Sequence, residues 1–361
     1  MSGSSTRTSP KTRPRTTLAE VASSAGVSVA TVSKVVNGRT DVSSETRERV
    51  QDLLDRIGYR PRGAARRATT LPAVELAFEG DLHAYSAEII QGVVDAAAST
   101  GTHVVVTRRA TGAPPVEGSP DDWARDLADT GVRALIAVTS IMSAEQLSAL
   151  GRAGVHLVVI DPLELPNVDV TSIGSTNFVG GLSAAQYLLD LGHRRIAFLG
   201  GHPRAACNQA RLSGYRAALE RADIDVPADY VRSSHFMYAD GVLGGAALLD
   251  LPVPPTAIFA ASDEIAVGVM EAARARGLGI PEDLSIVGFD DTQLARMSSP
   301  PLTTVRQPLA EMGRVAVRTA LRLIEGESID SHHVELATEL VVRESAVPPS
   351  ATSRARRPLG A

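Results

Sequence analysis

The 361-residue sequence predicts a small all-α head at the N-terminus, followed by a large α/β body of doubly wound parallel sheets. Charge divides unevenly, because residues 1–70 carry 13 basic and 6 acidic side chains (net +7), whereas the remainder carries a net charge of −12. Two short amphipathic segments separated by a glycine lie in the basic part, and short apolar runs alternate with helical patterns beyond residue 72. A basic head on an acidic body indicates a nucleic-acid or membrane partner.

Composition excludes several other classes of protein. The hydrophobic content of 44% is ordinary for a globular protein, and the length suggests about two domains. One cysteine, Cys207, excludes an internal disulfide framework and a cysteine-based zinc site. No apolar run approaches the ~18 residues that span a bilayer, and no apolar stretch of the signal-peptide kind follows the first positive charges. These features predict a cytoplasmic protein with no membrane partner.

The first amphipathic segments predict a helix-turn-helix unit over TLAEVASSAGVSVATVSKVVN, residues 17–37. Thr17 and Glu20 have the spacing of a capping box at the start of the first helix. Gly26 allows a tight turn, and Ser28 caps the second helix, which ends at Asn37. Two short helices with a glycine turn between them are typical of this motif.

Small polar residues on the second helix suit contact with DNA. Thr31, Ser33 and Lys34 can bind phosphates and base edges, while Val29 and Ala30 can contact thymine methyl groups. An ordinary helical hairpin is the alternative interpretation. The basic charge of the unit, its terminal position and its polar second helix favour DNA binding.

A third helix and a basic segment complete the head. Ser43 or Ser44 caps the helix, and Gly58 ends it. Pro61 suits the start of another helix, but the segment behind it is shorter than the ~12–15 residues that an isolated helix needs. This segment is either helical only against a partner or a solvated basic linker.

Alternating strand and helix patterns in the body predict parallel sheets with helices on both faces. In such sheets, ligands bind beyond the carboxyl ends of the strands. The candidate strands lie at 74–78, 102–107, 134–138, 156–160, 195–199, 256–260 and 285–288.

Motifs of enzyme chemistry are missing from the sequence. No predicted strand leads into a G-x-G-x-x-G turn, no lysine follows Lys34, and no nucleophile elbow or metal-binding cluster is present. We therefore predict no catalytic residues, no cofactor and no metal. An α/β enzyme and a sugar-binding transport protein remain as alternatives, and the second would carry a signal peptide and no helix-turn-helix.

Several strings together resemble the lac repressor (lacI/galR) family of bacterial transcription regulators, of the sugar-responsive type. In the head these are TLAEVASSAGVSVATVSKVVNG, VSSETRERV and GYRPRGAAR. In the body they are LGHRRIAFLGG, RLSGYRAAL, ASDEIAVGVM, SIVGFDD and PPLTTVRQP, so the resemblance spans residues of about 16–345. It implies a homodimeric repressor of a pseudo-palindromic operator in double-stranded DNA. It also implies a periplasmic-binding-protein-like body, whose two lobes are joined by three crossovers and hold a small-molecule effector, expected to be a sugar.

The resemblance divides the chain into a head, a hinge and a two-lobed body. The expected segments are a disordered basic tail (1–15), the helix-turn-helix domain (16–60), the hinge helix and linker (61–71), the effector-binding and dimerisation domain (72–345, with lobe 1 at 72–171 and 307–327 and lobe 2 at 173–305 and 330–345) and a disordered tail (346–361).

By position, the resemblance assigns DNA contacts in two groups. Val29, Ala30 and Lys34 take the base-reading positions of the family. The positions that contact or support phosphates fall on Thr17, Ser28, Thr31, Ser33 and Asn37.

The hinge departs from the family at one position. The family inserts a leucine between base steps at the operator centre, where this chain has Ala68. Because a methyl group is a poor wedge, the expectation is a weaker bend, or minor-groove reading by Arg66 and Arg67.

Two charged residues of the body match the family's effector contacts. Arg211 begins RLSGYRAAL and Asp290 ends SIVGFDD. A guanidinium and a carboxylate can both bind vicinal hydroxyls. A surface ion pair for Arg211 and a loop cap for Asp290 are the structural alternatives.

Other effector candidates follow predicted strands or match family positions. Asp161 follows a strand, and Asp263 is either a ligand contact or a helix cap. Tyr85 and Phe236 are either ring-stacking residues or core residues. Asn177 lies beside the first crossover. His83 is expected to be exposed to solvent.

The family implies coupled binding, in which the effector closes the lobes and changes whether two hinge segments can pair. Such coupling is reciprocal between the two ligands. The sequence leaves open whether the effector weakens or strengthens DNA binding, and weakening is the expectation for a sugar-responsive member.

Overall fold

The computed structural model describes residues 18–36, 42–56, 73–109, 118–164 and 170–350. These residues belong to two compact units, 1–70 and 71–361. The predictions that lie outside the described residues concern Thr17, Asn37, Arg66, Arg67, Ala68, the tail 1–15, the hinge segment 61–71 and residues 351–361.

Within residues 18–36 and 42–56, the described part of the head unit, there are three helices, α1 (Leu18–Ala25), α2 (Val29–Val36) and α3 (Ser44–Arg56). Gly26 has φ of 67°, which a residue with a side chain rarely adopts, so it permits the turn between α1 and α2. The helices enclose a small apolar core whose buried members are Val21, Ala22, Ala25, Val32, Val35, Val50 and Leu54.

Serine hydroxyls begin two of these helices, as the sequence predicts. The Thr31 amide donates to the Ser28 Oγ at 3.1 Å at the start of α2. The Thr46 amide donates to the Ser43 Oγ at 3.4 Å at the start of α3, so Ser43 rather than Ser44 is the cap.

The first sheet of the body has six parallel strands in the order β11-β5-β4-β3-β1-β2. Its strands are β1 (Ala73–Glu79), β2 (His103–Arg109), β3 (Val132–Val138), β4 (His156–Ile160), β5 (Thr171–Ser175) and β11 (His333–Leu336). Its helices are α4 (Ala84–Thr100), α5 (Pro120–Thr130), α6 (Ala144–Ala153) and α12 (Leu309–Ile324). Helices α4 and α12 pack with the sheet in one apolar core, and α5 contributes to a second core.

The second sheet has the order β12-β10-β9-β8-β6-β7, and all pairs are parallel except β10 with β12. Its strands are β6 (Ile196–Gly200), β7 (Val231–Ser233), β8 (Ala257–Ala260), β9 (Ser285–Asp290), β10 (Thr303–Arg306) and β12 (Glu339–Val341). Its helices are α7 (Asn177–Asp190), α8 (Ala206–Arg221), α9 (Tyr238–Leu249), α10 (Asp263–Arg274) and α11 (Gln293–Met297). We call the layers around the first and second sheets the first and second lobes.

The chain passes between the lobes three times, as the resemblance implies. The second crossing, at Gln307–Pro308, lies beside the expected boundary at 305–307. The first, at Thr176, and the third, between β11 and β12, lie later in the chain than the expected boundaries at 171–173 and 327–330. Strand β5 reads TSIGS and β11 reads HVEL, so neither has the apolar run that identified the other four strands of the first sheet. Their pairing with each other places both in the first lobe.

The expected disordered tail 346–361 also differs from the structure over its first residues. Ala346 is buried in the second-lobe core, and the Val347 amide donates to the Ser285 Oγ at 3.0 Å. Residues 346–350 therefore continue the second lobe. Among the described residues, no helix is both long and apolar enough to cross a membrane.

Glycine allows close contact between α4 and α12 in the first lobe. A Cβ atom on Gly92 would lie 1.8 Å from the Ala310 carbonyl oxygen, and a Cβ on Gly313 would lie 2.6 Å from the Ile89 carbonyl oxygen. Each helix therefore approaches the backbone of the other, which a side chain would prevent.

We expect Gly92→Ala to lower the free energy of unfolding by about 1–3 kcal/mol, because the added methyl group forces the two helix backbones apart. Urea unfolding followed by circular dichroism measures this change. The control is Gly151→Ala on α6, where nothing lies within 4 Å of the added Cβ. It is expected to leave stability unchanged or to raise it by about 0.5–1 kcal/mol. Equal effects of the two changes would contradict this account of the packing.

Candidate functional site

Helix α2 presents a candidate nucleic-acid surface in the head. Val32 and Val35 face the core, whereas Val29 (48% exposed), Ala30 and Lys34 are exposed. The 3.6-residue period of a helix places Ala30 and Lys34 opposite Val32 and Val35, with Val29 at the border between the two faces. The Ser28 side chain is exposed at the start of α2, while Thr31 and Ser33 are half-buried. The predicted base-reading residues therefore share an accessible face.

A cavity of about 640 Å³ lies between the two lobes of the body. Its walls come from the segments that follow the carboxyl ends of strands in both sheets, where open parallel sheets bind ligands. The contributing segments are 78–86, 139–141 and 161–164 in the first lobe and 202–211, 235–237, 262–264 and 290–292 in the second.

Unusual backbone conformations are concentrated at this cavity. Six non-glycine residues among those described have a positive φ, and four of them line the cavity: Thr139, Asp161, Phe236 and Asp290. Such conformations cost energy and persist where the surrounding structure imposes them. Their clustering marks the interlobe cavity as a functional site.

Tyr85 and Asp161 form one polar wall in the first lobe. The Tyr85 hydroxyl donates to the Asp161 Oδ2 at 2.6 Å, and the Asp161 amide donates to the Ile173 carbonyl at 3.0 Å. Burial raises the pKa of the Asp161 carboxyl, while the hydrogen bond from Tyr85 and the charge of Arg211 oppose that shift. Asp161 Oδ1 remains as an acceptor for a ligand hydroxyl.

Arg211 occupies the facing wall in the second lobe, with its side chain only 3% exposed. Its Nη1 donates to the Ala261 carbonyl at 2.6 Å, and its Nε donates to the Asn177 Oδ1 at 2.8 Å. The guanidinium carbon lies 3.8 Å from the centroid of the Phe289 ring, so the cation also rests on an aromatic face. These contacts hold the guanidinium in one orientation at the cavity wall.

Asp290 connects the cavity to the crossovers. Its Oδ1 lies 3.8 Å from the Arg211 Nη1 and accepts a hydrogen bond of 2.6 Å from the Gln307 Nε2. The Ser175 Oγ donates to the Gln307 Oε1 at 2.5 Å. Burial raises the pKa of the Asp290 carboxyl well above its ordinary value, and the charge of Arg211 opposes this. A wall residue is thus tied to segments at two of the three crossings.

Comparison with known proteins gives the family. Residues 17–62 match the bacterial regulatory proteins of the lacI family, and residues 185–346 match the periplasmic binding protein-like domain. Catabolite control protein A of Priestia megaterium is 32% identical over 334 residues, which cover 91% of this chain and 98% of that protein. This chain belongs to the lacI family of bacterial regulatory proteins.

Solved structures of regulators in this family have the same architecture. The transcriptional regulator CelR in complex with cellobiose is 34% identical and covers 92% of this chain and 100% of its own, with a TM-score of 0.69. The lac repressor dimer bound to operator and the anti-inducer ONPF is 28% identical with the same coverage and a TM-score of 0.67. These likenesses confirm the predicted fold class and a regulatory protein rather than an enzyme.

Five of the seven predicted effector residues line the cavity in this lacI-family chain: Tyr85, Asp161, Arg211, Phe236 and Asp290. Phe236 packs beside Gly201, where a Cβ atom would lie 2.0 Å from the ring. The aromatic face therefore reaches the cavity only because residue 201 has no side chain.

The other two predicted residues, Asn177 and Asp263, lie behind the cavity wall. Asn177 accepts the bond from the Arg211 Nε. Asp263 accepts from the Thr292 amide at 2.7 Å and from the Thr304 hydroxyl at 2.6 Å, while burial raises the pKa of its carboxyl to about 7. The cap of α10 is Ser262, whose Oγ accepts from the Ile265 amide.

Residues that the sequence reasoning missed also line the cavity, among them His202, Cys207, His235 and Glu264. His83, expected to be exposed to solvent, lies on the wall with its Nδ1 3.4 Å from the Glu264 Oε1. All five lie in segments that follow strands. The rule of ligand binding at strand ends would have identified them, although none belongs to a motif.

We expect Asn177→Leu to lower the free energy of unfolding by about 1–3 kcal/mol, because the buried Arg211 Nε would lose its acceptor. Urea unfolding of the full chain tests this. The neighbouring Phe178→Leu is the control, since Phe178 is 43% exposed and is expected to change stability by less than about 0.5 kcal/mol. An unchanged urea midpoint for Asn177→Leu would show that Arg211 does not depend on this partner.

Proposed function

We propose that this protein is a sequence-specific DNA-binding transcriptional repressor, whose operator affinity is controlled by a sugar bound in the interlobe cavity. One observation carries the proposal. A lacI-family chain has both an accessible second helix in its basic head and, in its body, a cavity with hydroxyl-binding groups on opposite walls. The cavity shows no catalytic constellation that would favour an enzyme among the described residues. The helix-turn-helix head does not fit a transport protein.

The head supplies the DNA-binding surface in this proposal. Val29, Ala30 and Lys34 read base edges in the major groove from the exposed face of α2. The residues that hold phosphates are Thr17, Ser28, Thr31, Ser33 and Asn37. We propose that Arg66, Arg67 and Ala68, in the hinge segment, contact the minor groove. Because the head is strongly basic, operator affinity should fall steeply as salt concentration rises.

We propose that the functional unit is a homodimer. In the first lobe, exposed valines occur on α4 (Val94) and on the edge strand β2 (Val105 and Val106). An edge strand with exposed apolar side chains requires cover, which a second copy would provide. A two-fold dimer matches a pseudo-palindromic operator, and the related lac repressor binds its operator as a dimer.

The charges on the cavity wall favour an uncharged ligand. The lining holds six carboxylates, on Glu79, Asp81, Asp161, Glu164, Glu264 and Asp290, but only two guanidinium groups, on Arg204 and Arg211. Burial raises the pKa of the Asp161 and Asp290 carboxyls, but even with both protonated the other four carboxylates outnumber the two guanidinium groups. An added phosphate or carboxylate would therefore meet net negative charge. Sugar hydroxyls can donate to Asp161 and Asp290 and accept from Arg211, while the rings of Tyr85 and Phe236 pack against C–H faces. The related CelR binds the neutral sugar cellobiose.

Regulation follows from the two lobes and three crossings. A sugar that contacts Asp161 in the first lobe and Arg211 and Asp290 in the second favours their closure, which alters the pairing of hinge segments in the dimer. Coupling of about 1–3 kcal/mol would change operator affinity 5–150-fold, and we expect the sugar to weaken DNA binding. Because a repressor must reach its operator DNA, we propose that the protein acts in the cytoplasm.

We expect Lys34→Ala to weaken binding to the specific operator about 10-fold or more, because a base-edge contact contributes roughly 1–3 kcal/mol. Gel-shift titrations with a palindromic site near the protein's own gene measure this effect. Sugar affinity should remain at the wild-type value. Lys34→Arg is the matched control, since it keeps the charge at this position and is expected to retain non-specific affinity. The failure of wild-type protein to prefer any sequence would reject the proposed function.

We expect neutral sugars to bind at least about 10-fold more tightly than their phosphates, because the phosphate meets the acidic wall. Calorimetric titrations with glucose, cellobiose and their phosphates provide matched pairs. For a neutral sugar that binds, Arg211→Ala should abolish its effect on operator binding, while the folded variant still binds the operator without sugar. Tighter binding of a phosphorylated sugar would contradict the proposed ligand class.

A further inference from the structure

We infer that the two lobes hold each other closed by capping one another's helices, and that this pair of contacts controls access to the cavity. We call the two contacts the reciprocal caps: the Glu264 side chain on the Ala84 amide, and the Leu163 carbonyl on the Ala206 amide. The consequence for regulation rests on the proposed function. The contacts themselves do not.

The first cap joins α4 of the first lobe to α10 of the second. The N-cap residue of α4 is His83, whose side chain makes no capping bond. Instead, the Ala84 amide donates to the Glu264 Oε1 at 3.1 Å. The Glu264 side chain is only 13% exposed. A carboxylate at a helix N-terminus satisfies a free amide and interacts favourably with the helix dipole.

The second cap runs in the opposite direction. The N-cap residue of α8 in the second lobe is Ala205, which has no side-chain acceptor. The Ala206 amide donates to the Leu163 carbonyl at 2.9 Å, and Leu163 follows β4 of the first lobe. Each lobe therefore supplies the acceptor that a helix of the other lobe lacks.

Separation of the lobes would break both caps together. An interlobe pair outside the cavity lining, Arg296 with Glu88 at 3.5 Å, is solvent-exposed and contributes little. By contrast, loss of a helix cap changes an equilibrium by roughly 2- to 30-fold. The acceptors of both caps, on Leu163 and Glu264, belong to residues that line the cavity. Lobe separation therefore opens the cavity wall itself, and the caps set how often it opens.

Cys207 reports this opening without any ligand. It is the only cysteine in the chain, follows Ala206 and lines the cavity. Cys207 is half-buried, and desolvation by its surroundings raises the pKa of its thiol to about 11, so the thiol should react slowly at pH 8 while the lobes are closed. Its rate of modification by a bulky disulfide reagent then follows the population of the open state.

We expect Glu264→Ala to accelerate Cys207 modification about threefold to tenfold in the full chain with no sugar added, because the cap on α4 is lost. Glu264→Gln keeps an acceptor oxygen and should fall between this variant and the wild type. Glu311→Gln is the control, since it removes an exposed charge that pairs with Arg314 and Arg318 within α12. Its rate should equal that of the wild type.

The second cap is tested by Ala206→Pro, which removes the donating amide. Proline is favoured at the first position of a helix, and the preceding Ala205 has φ −64° and ψ 125°, as a residue before proline requires. We expect acceleration of the same order. Ala206→Gly retains the amide and serves as the matched control for a change beside Cys207.

Wild-type modification rates in both Glu264→Ala and Ala206→Pro would overturn the inference. If the urea midpoint of a variant falls, its Cys207 modification rate is compared at urea concentrations well below the unfolding transition. Under those conditions only lobe opening exposes the thiol. Neither DNA nor sugar enters these measurements. Failure of operator binding would therefore reject the proposed function without affecting the inference of the reciprocal caps. Unchanged Cys207 modification rates would reject the reciprocal caps without affecting the proposed function.

Discussion

The buried guanidinium of Arg211 is the constraint on which the body depends. A cation taken out of water is stable only when its donors are paired, and the partners come from three separate elements. Asn177 supplies an amide oxygen from α7, Ala261 a carbonyl after β8, and Asp290 a carboxylate at the end of β9. The requirement to satisfy one side chain therefore brings the carboxyl ends of the second sheet to one cavity wall.

The same requirement links ligand contact to lobe geometry. Asp290 accepts from Gln307 at one crossing, and Gln307 in turn accepts from Ser175 beside another. At the first and third crossings, the hydroxyls of Thr176 and Thr338 lie 2.9 Å apart. All three crossings therefore carry short polar contacts. Each such hydrogen bond is either formed or broken, and does not lengthen gradually as the lobes move. Discrete contacts of this kind are what a two-state response to a ligand requires.

Charge and accessibility indicate that the head contacts DNA and the body binds the ligand. The net negative charge of the body disfavours contact with a duplex, whereas the basic head carries an accessible polar helix face. In the body, the acidic cavity wall selects against anions while its few donors orient hydroxyls. The reciprocal caps add a control on access that depends on helix termini left uncapped by their own sequence.

The sequence by itself determined the three head helices, the serine caps of two of them, seven of the described body strands and five residues of the cavity wall, because periodicity, capping and motifs are local properties. It did not determine β5, β7, β10, β11 and β12. Of these, β5 and β11 have polar sequences that become strands only through pairing with each other and, for β5, with β4. Only tertiary structure placed Asn177 and Asp263 behind the wall, where they hold Arg211, Thr292 and Thr304. Contacts between residues far apart in the chain, such as Glu264 with Ala84, leave no local pattern, since their energy exists only once both lobes have folded.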